Sequence, residues 1–258
     1  MSLPRIVLVE PNGPLNVGSI ARVMKNFGLH ELVLVNPQCS ITSRPAQIMA
    51  SHAKEVLKNS QQVSSLEEAL KDCSRVIATT MRARKQSTGL ETPEQVFPWI
   101  LESPEPTAIM FGPEDRGLSN EDLGWAQRWI CIPASTEYPT LNLAQTVGIC
   151  CYELFQLLKE SEYDQSDEKN ALSTDNKDWE PLADVAQFNA FLEDFSALLL
   201  RAGFLYPHTA NDRMNKIRRL LFRSQPSLNE VAMLRGIVSQ LEWALNNPEK
   251  TETADVIR

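Results

Sequence analysis

No stretch of this chain approaches the ~20 consecutive apolar residues that a membrane-spanning helix requires, which argues against a membrane partner of that kind. The first residues read at once as a strand, leaving no room for a signal peptide. Cysteine is sparse: five residues, Cys39, Cys73, Cys131, Cys150 and Cys151, odd in number and without metal-ligand spacing. They are expected as buried, reduced thiols in a cytoplasmic protein with no metal site. The three histidines, His30, His52 and His208, stand alone, so no catalytic triad is built on them. No Gly-x-Gly-x-x-Gly follows the first strand, and no Gly-x-x-x-x-Gly-Lys-Ser/Thr occurs anywhere. An ordinary dinucleotide-binding turn and a Walker-type nucleotide site are both excluded.

Positive charge is also in deficit, with a net charge of -8, but the deficit is local. Residues 160–194 hold eleven acidic and two basic residues, a charge of -9, so the rest of the chain sums to about +1. Beyond them Arg213, Lys216, Arg218, Arg219 and Arg223 cluster with only Asp212 opposing. A phosphate backbone senses such a patch, not the global charge.

Short, continuous, β-branched apolar runs cover residues 5–10, 31–36, 74–79, 107–112 and 129–133. Continuity without alternation predicts parallel strands covered on both faces. Helical patterns lie between them. Val17, Ile20, Ala21, Met24 and Phe27 share one stripe, with Gly28 as a stop. Ser64 is expected to cap a helix through Leu70, Thr92-Pro93 to open another, and Asn142 to cap a long helix carrying Leu143, Val147, Cys151, Leu154 and Leu158. Alternating strands and helices predict an α/β domain over residues 1–160. Residues 161–180 read as an acidic flexible linker, 181–247 as a helical extension of three amphipathic helices, and 248–258 as a frayed tail.

Chemistry concentrates at strand ends. If Ile20, Met24 and Phe27 face the sheet, Arg22 is rotated about 200° from Ile20 and points away from the core. Alone it reads as a solvated arginine. Asn16-Val17-Gly18-Ser19 before it reads as a small-residue turn whose free amides meet an anion, and together they make a phosphate contact. The segment Gly112-Pro113-Glu114-Asp115-Arg116-Gly117-Leu118-Ser119 holds more glycine, proline and charge than a tight loop with a Ser119 cap needs. Thr79-Thr80-Met81-Arg82-Ala83-Arg84-Lys85 ends another strand; its arginines suit a polyanion, or a solvated charge run.

Three of these segments together resemble the knotted SpoU/TrmD superfamily, specifically the SpoU-like RNA ribose 2′-O-methyltransferases. The matching motifs are Asn16 to Arg22, Ile109 to Leu118, and Ile132-Pro133 through Thr140-Leu141-Asn142-Leu143-Ala144. With the Thr79–Arg84 loop and Asn215 to Leu220, the chain looks closer still to the bacterial tRNA methyltransferases acting on cytidine or uridine at position 32 of the anticodon loop. The resemblance implies a parallel α/β domain with a deep trefoil knot and a helical extension. It implies S-adenosylmethionine bound by Thr79, Thr80, Met81, Gly112, Ile132, Pro139, Thr140, Leu141 and Asn142, with no metal. It implies catalysis by Arg22, Thr140 and Asn142, and a homodimer through the knot region in which Arg22 serves across the interface. Val147, Cys151 and Leu154 are the apolar surface expected there. RNA is expected at Asn16, Arg82, Arg84, Glu114, Arg116, Arg213, Lys216, Arg218, Arg219 and Arg223. The family's third motif usually reads Ser-Leu-Asn; here Thr140 keeps the hydroxyl and adds a methyl. An rRNA ribose methyltransferase and a non-catalytic RNA-binding protein of the same fold are the competing readings.

Overall fold

The computed structural model describes residues 3–81, 90–167 and 180–247, in two compact units, Met1–Lys177 and Asp178–Arg258. The first unit is built on a six-stranded, wholly parallel sheet: β1 (Arg5–Val9), β2 (Leu32–Val35), β3 (Gln61–Val63), β4 (Arg75–Thr79), β5 (Thr107–Phe111) and β6 (Arg128–Ile130). Their order is β3-β2-β1-β5-β4-β6. β1 and β5 are neighbours at its centre, with Leu8 level with Phe111. The β1, β2 and β5 side chains are buried throughout, as their continuous apolar runs require. β3 was not visible in the sequence, because Gln61 and Gln62 are exposed on an edge strand and carry no apolar signal.

Helices α1 (Pro14–Asn26), α2 (Arg44–Ala50), α3 (Lys54–Asn59), α4 (Leu66–Leu70), α5 (Pro93–Leu101) and α6 (Asn120–Leu123) connect the strands, and α7 (Leu143–Asp167) follows the last of them. Val17, Ile20, Ala21 and Met24 are buried, and Phe27 packs edge-on to Tyr152 and tilted to Phe155 of α7. Gly28 takes φ +76 just past α1, as a helix stop requires. Thr92 and Gln95 form a capping box on α5. The cap of α4 is Ser65, which accepts from the Glu68 amide; Ser64 stands one residue outside, its own amide donating to the Glu68 carboxylate.

Three expectations are corrected. Residues 16–19 are not a turn: α1 starts at Pro14, so they lie in its first turns, and Ser19 Oγ donates to Leu15 O. Gly18 is small because α2 crosses there; a Cβ would come 2.3 Å from Ala46 O. Val147, Cys151 and Leu154 are not free for an interface, since they are fully buried in the chain's own core. α7 runs to Asp167, into the stretch read as a flexible linker: an established helix adds one bond per further residue, and Glu and Gln are good helix formers. Residues 168–179 and the tail from 248 lie outside the described residues.

The second unit holds α8 (Val185–Arg201), α9 (Ala210–Phe222) and α10 (Leu228–Asn246). Asp184 caps α8 and Ser227 caps α10, each in a capping box. Phe188, Phe191 and Phe222 form its aromatic core, with Phe188 and Phe222 stacked at 4.9 Å.

Candidate active site

The loops after β4, β5 and β6 open at the same edge of the sheet, where strand C-termini of open α/β proteins form ligand crevices. They surround one cleft lined by Thr79, Thr80, Met81, Gly112, Ile132, Thr140 and Leu141, all expected from the sequence. Pro139 and Asn142 are not in its wall, and Arg82 and Arg84 lie outside the described residues. Leu118, Ile130 and Thr146 also line it and were not expected. Thr146 had a readable signal: it stands one helical turn beyond Asn142, and its hydroxyl donates to Asn142 O at 3.0 Å.

The cleft keeps its shape through backbone approach. The Thr80 amide donates to Ile130 O at 2.9 Å, tying the β4 loop to β6. Thr79 Oγ1 donates to Met110 O at 3.0 Å. After β5 the chain folds back so tightly that a Cβ on Gly112 would come 2.2 Å from the Leu118 amide nitrogen. Gly117 completes that return at φ +67, a conformation glycine adopts without steric cost.

Glu114 and Arg116, expected from the sequence as RNA contacts, also stand in the cleft wall, and from Glu114 one hydrogen-bonded chain joins all three motifs. Glu114 accepts from the amides of Asn12 and Gly13, both at 2.9 Å, and from Asn16 Nδ2 at 2.8 Å. Asn16 Oδ1 in turn accepts from Asn142 Nδ2 at 3.1 Å. Asn142 Oδ1 caps α7, accepting from the amides of Ala144 at 2.9 Å and Gln145 at 3.4 Å. The amides that meet an anion here are those of Asn12 and Gly13, not those of residues 16–19, and the anion is the protein's own Glu114 carboxylate rather than the phosphate expected there. Partial burial works against the charge on Glu114, but the bonds from Asn16, Asn12 and Gly13 outweigh it and hold its pKa below the ordinary glutamate value. Arg116 pairs with Glu10, joining the β5 loop to the end of β1.

Arg22 is exposed on α1, as its phase predicted, and it does not line the cleft of its own chain. Among the described residues no hydrogen bond or ion pair holds it. In the second unit Arg213, Lys216 and Arg223 are exposed, while Arg219 is half-buried. Arg218 is turned inward: its guanidinium donates to Oδ1 of the buried Asn189 at 2.6 Å, on α8. The sequence counted it with the patch because charge alone does not reveal a buried polar partner.

Comparison with known proteins decides the family. Residues 4–152 match the SpoU rRNA Methylase family, and residues 186–252 match the C-terminal domain of the tRNA methyltransferase TrmJ. The chain belongs to the SpoU methylase family, in its TrmJ branch. It is 35% identical to the tRNA (cytidine/uridine-2′-O-)-methyltransferase TrmJ of Pectobacterium atrosepticum, over 92% of this chain and 96% of that protein. The crystal structure of TrmJ from Z. mobilis ZM4 superposes with a TM-score of 0.81 at 32% identity, covering 93% of this chain and all of that one. A probable methylase family protein from Haemophilus influenzae Rd KW20 gives a TM-score of 0.61 at 31% identity, over 94% and 97% of the two chains. A structure described as addressing 2-OH methylation of C/U34 on tRNA gives 0.50 at 27% identity, covering 60% of this chain but 96% of its own. The architecture is that of the knotted RNA methyltransferases with a helical extension, and the chain is a methyltransferase.

Proposed function

We propose that this enzyme methylates the ribose 2′-oxygen of tRNA, at the cytidine or uridine in position 32 of the anticodon loop, with S-adenosylmethionine as donor. The observation that carries this is the Glu114–Asn16–Asn142 chain beside one cleft, in a protein that aligns along nearly its whole length with tRNA (cytidine/uridine-2′-O-)-methyltransferases. The helical unit supports tRNA over rRNA, since it matches the C-terminal domain of a tRNA methyltransferase. It also groups the chain with relatives that carry that unit and apart from the C/U34 structure, which matches only 60% of the chain.

The cleft suits this cofactor by its lining: Leu118, Ile130, Ile132 and Leu143 offer apolar walls to a planar base, and Thr80 and Thr140 bring hydroxyls. When bound, the cofactor would supply a methyl on a sulfonium: the C–O bond to the ribose 2′-oxygen would form as the C–S bond breaks, sulfur would depart as the neutral thioether S-adenosylhomocysteine, and the hydroxyl proton would pass to solvent. Thr140 and Asn142 orient the attacking hydroxyl, the first from the cleft wall and the second from the α7 start. An arginine keeps its proton and is no base. Arg22 therefore anchors the substrate phosphate and stabilises the developing alkoxide. In this reading the enzyme is a cytoplasmic homodimer in which Arg22 of the partner subunit completes each site; the exposure of Arg22 outside the cleft of its own chain supports the shared site.

The purified chain, incubated with a tRNA transcript and methyl-labelled cofactor, tests this. Label is expected at a linkage that resists alkaline hydrolysis, the mark of a blocked 2′-oxygen. Label on a base, or none, overturns the reading.

A further inference from the structure

The connector between α8 and α9, residues 202–209, is held firmly yet shows its largest rings to solvent. The amides of Phe204 and Leu205 both return to Leu199 O, at 3.0 and 3.1 Å, and Gly203 sits at φ +76. The Thr209 amide closes the other end on Tyr206 O at 2.9 Å. Leu205, 2% exposed, pins the segment inward. Between these anchors Phe204 is 56% and Tyr206 55% exposed, and His208 is exposed with them.

These rings are arranged in pairs. Tyr206 and His208 stack with centroids 6.0 Å apart and planes 24° apart. The Arg213 guanidinium lies 5.7 Å from the Phe204 ring centre and donates to Phe204 O at 2.9 Å. Residues 201–223 hold six basic residues and a single acidic one, Asp212. Ordered aromatic rings within a basic segment match the requirements of unpaired nucleotides. Every base has a face to stack, and every phosphate needs a cation.

We propose that this connector is a stacking platform for unpaired bases of the substrate RNA, with Arg213 and Lys216 on the flanking phosphates. The proposal rests on the RNA-methylating reading above and deepens it, by naming the part of the substrate that the helical unit grips. The charge on α9 favours a polyphosphate chain over an apolar protein partner.

The test uses the full-length chain with a short fluorescent oligouridylate and a blunt RNA duplex, without methyl donor. Its result is therefore read apart from methyl transfer. The double substitution Phe204→Ala, Tyr206→Ala is expected to weaken oligouridylate binding about 10-fold or more while leaving its salt dependence unchanged, because stacking releases no counterions. Phe204→Trp with Tyr206 intact is expected to retain parental affinity. Lys216→Glu is expected to flatten the salt dependence instead. Unchanged oligouridylate affinity in the double variant overturns the platform. So does an equal loss on the duplex, or a changed oligomeric mass with RNA affinity intact, which would make the rings a contact between copies.

Discussion

Arg22 and Glu114 do different work at the same helix. Arg22 projects from α1 without a partner among the described residues, whereas Glu114 is engaged by three donors. Arg22→Ala is therefore expected to cut methyl transfer by 100-fold or more, in the range of a lost charge-stabilising donor, while calorimetry shows cofactor binding unchanged. Arg22→Lys should be nearly as poor, since a point charge does not replace a bidentate fork. Glu114→Gln turns an amide NH₂ toward donors and is expected to cost about 1–2 kcal/mol by denaturant unfolding, at the lower end for a charged acceptor because the carboxylate is part-exposed. The sign with pH follows from its depressed pKa. Its stabilisation is complete above the ordinary glutamate range and fades as pH falls through the lowered folded-state value. The parent's unfolding midpoint should thus drop in that acid window more than the Gln variant's. Arg22's orientation was legible, because helix phase alone sets it. The Glu114–Asn16–Asn142 chain was not, because its members lie 98 and 126 residues apart and no periodicity encodes their meeting.

At the scale of elements, the short, continuous apolar runs of β1, β2, β4, β5 and β6 and the caps at Thr92, Ser119 and Asn142 were readable, since each rests on local chemistry. The short helices α2 and α3 and the strand β3 were not. Seven residues or fewer give too few turns for a period, and β3 is polar. The misread turn at residues 16–19 has the same origin. Small residues signal turns, but here they signal two helices in close approach. Gly18→Ala tests this directly. Its Cβ would meet Ala46 O at 2.3 Å and the Met49 side chain at 2.9 Å. The pair must separate, with a loss of about 2 kcal/mol and a fall of several degrees in Tm. An unchanged Tm would show that α2 shifts freely.

At the scale of the molecule, the two units divide the task. The first holds the cleft proposed for the cofactor and the three motifs, and the second holds the basic and aromatic surface. A chain ending at Lys177 is expected to fold, to bind S-adenosylmethionine and to run as a dimer in light scattering, yet to methylate tRNA poorly. A monomer mass at micromolar concentration would contradict the shared active site, because Arg22 would then have no cleft to serve. The resemblance carried knot, cofactor and substrate together, where chain physics alone would have argued against threading. The most direct measurement is mass spectrometry of tRNA from cells with and without this gene. The account predicts that 2′-O-methylcytidine or 2′-O-methyluridine at position 32 disappears with the gene and returns with the parent chain but not with Arg22→Ala. Retention of that methyl in the deletion strain, or its loss at a different nucleotide, would contradict it.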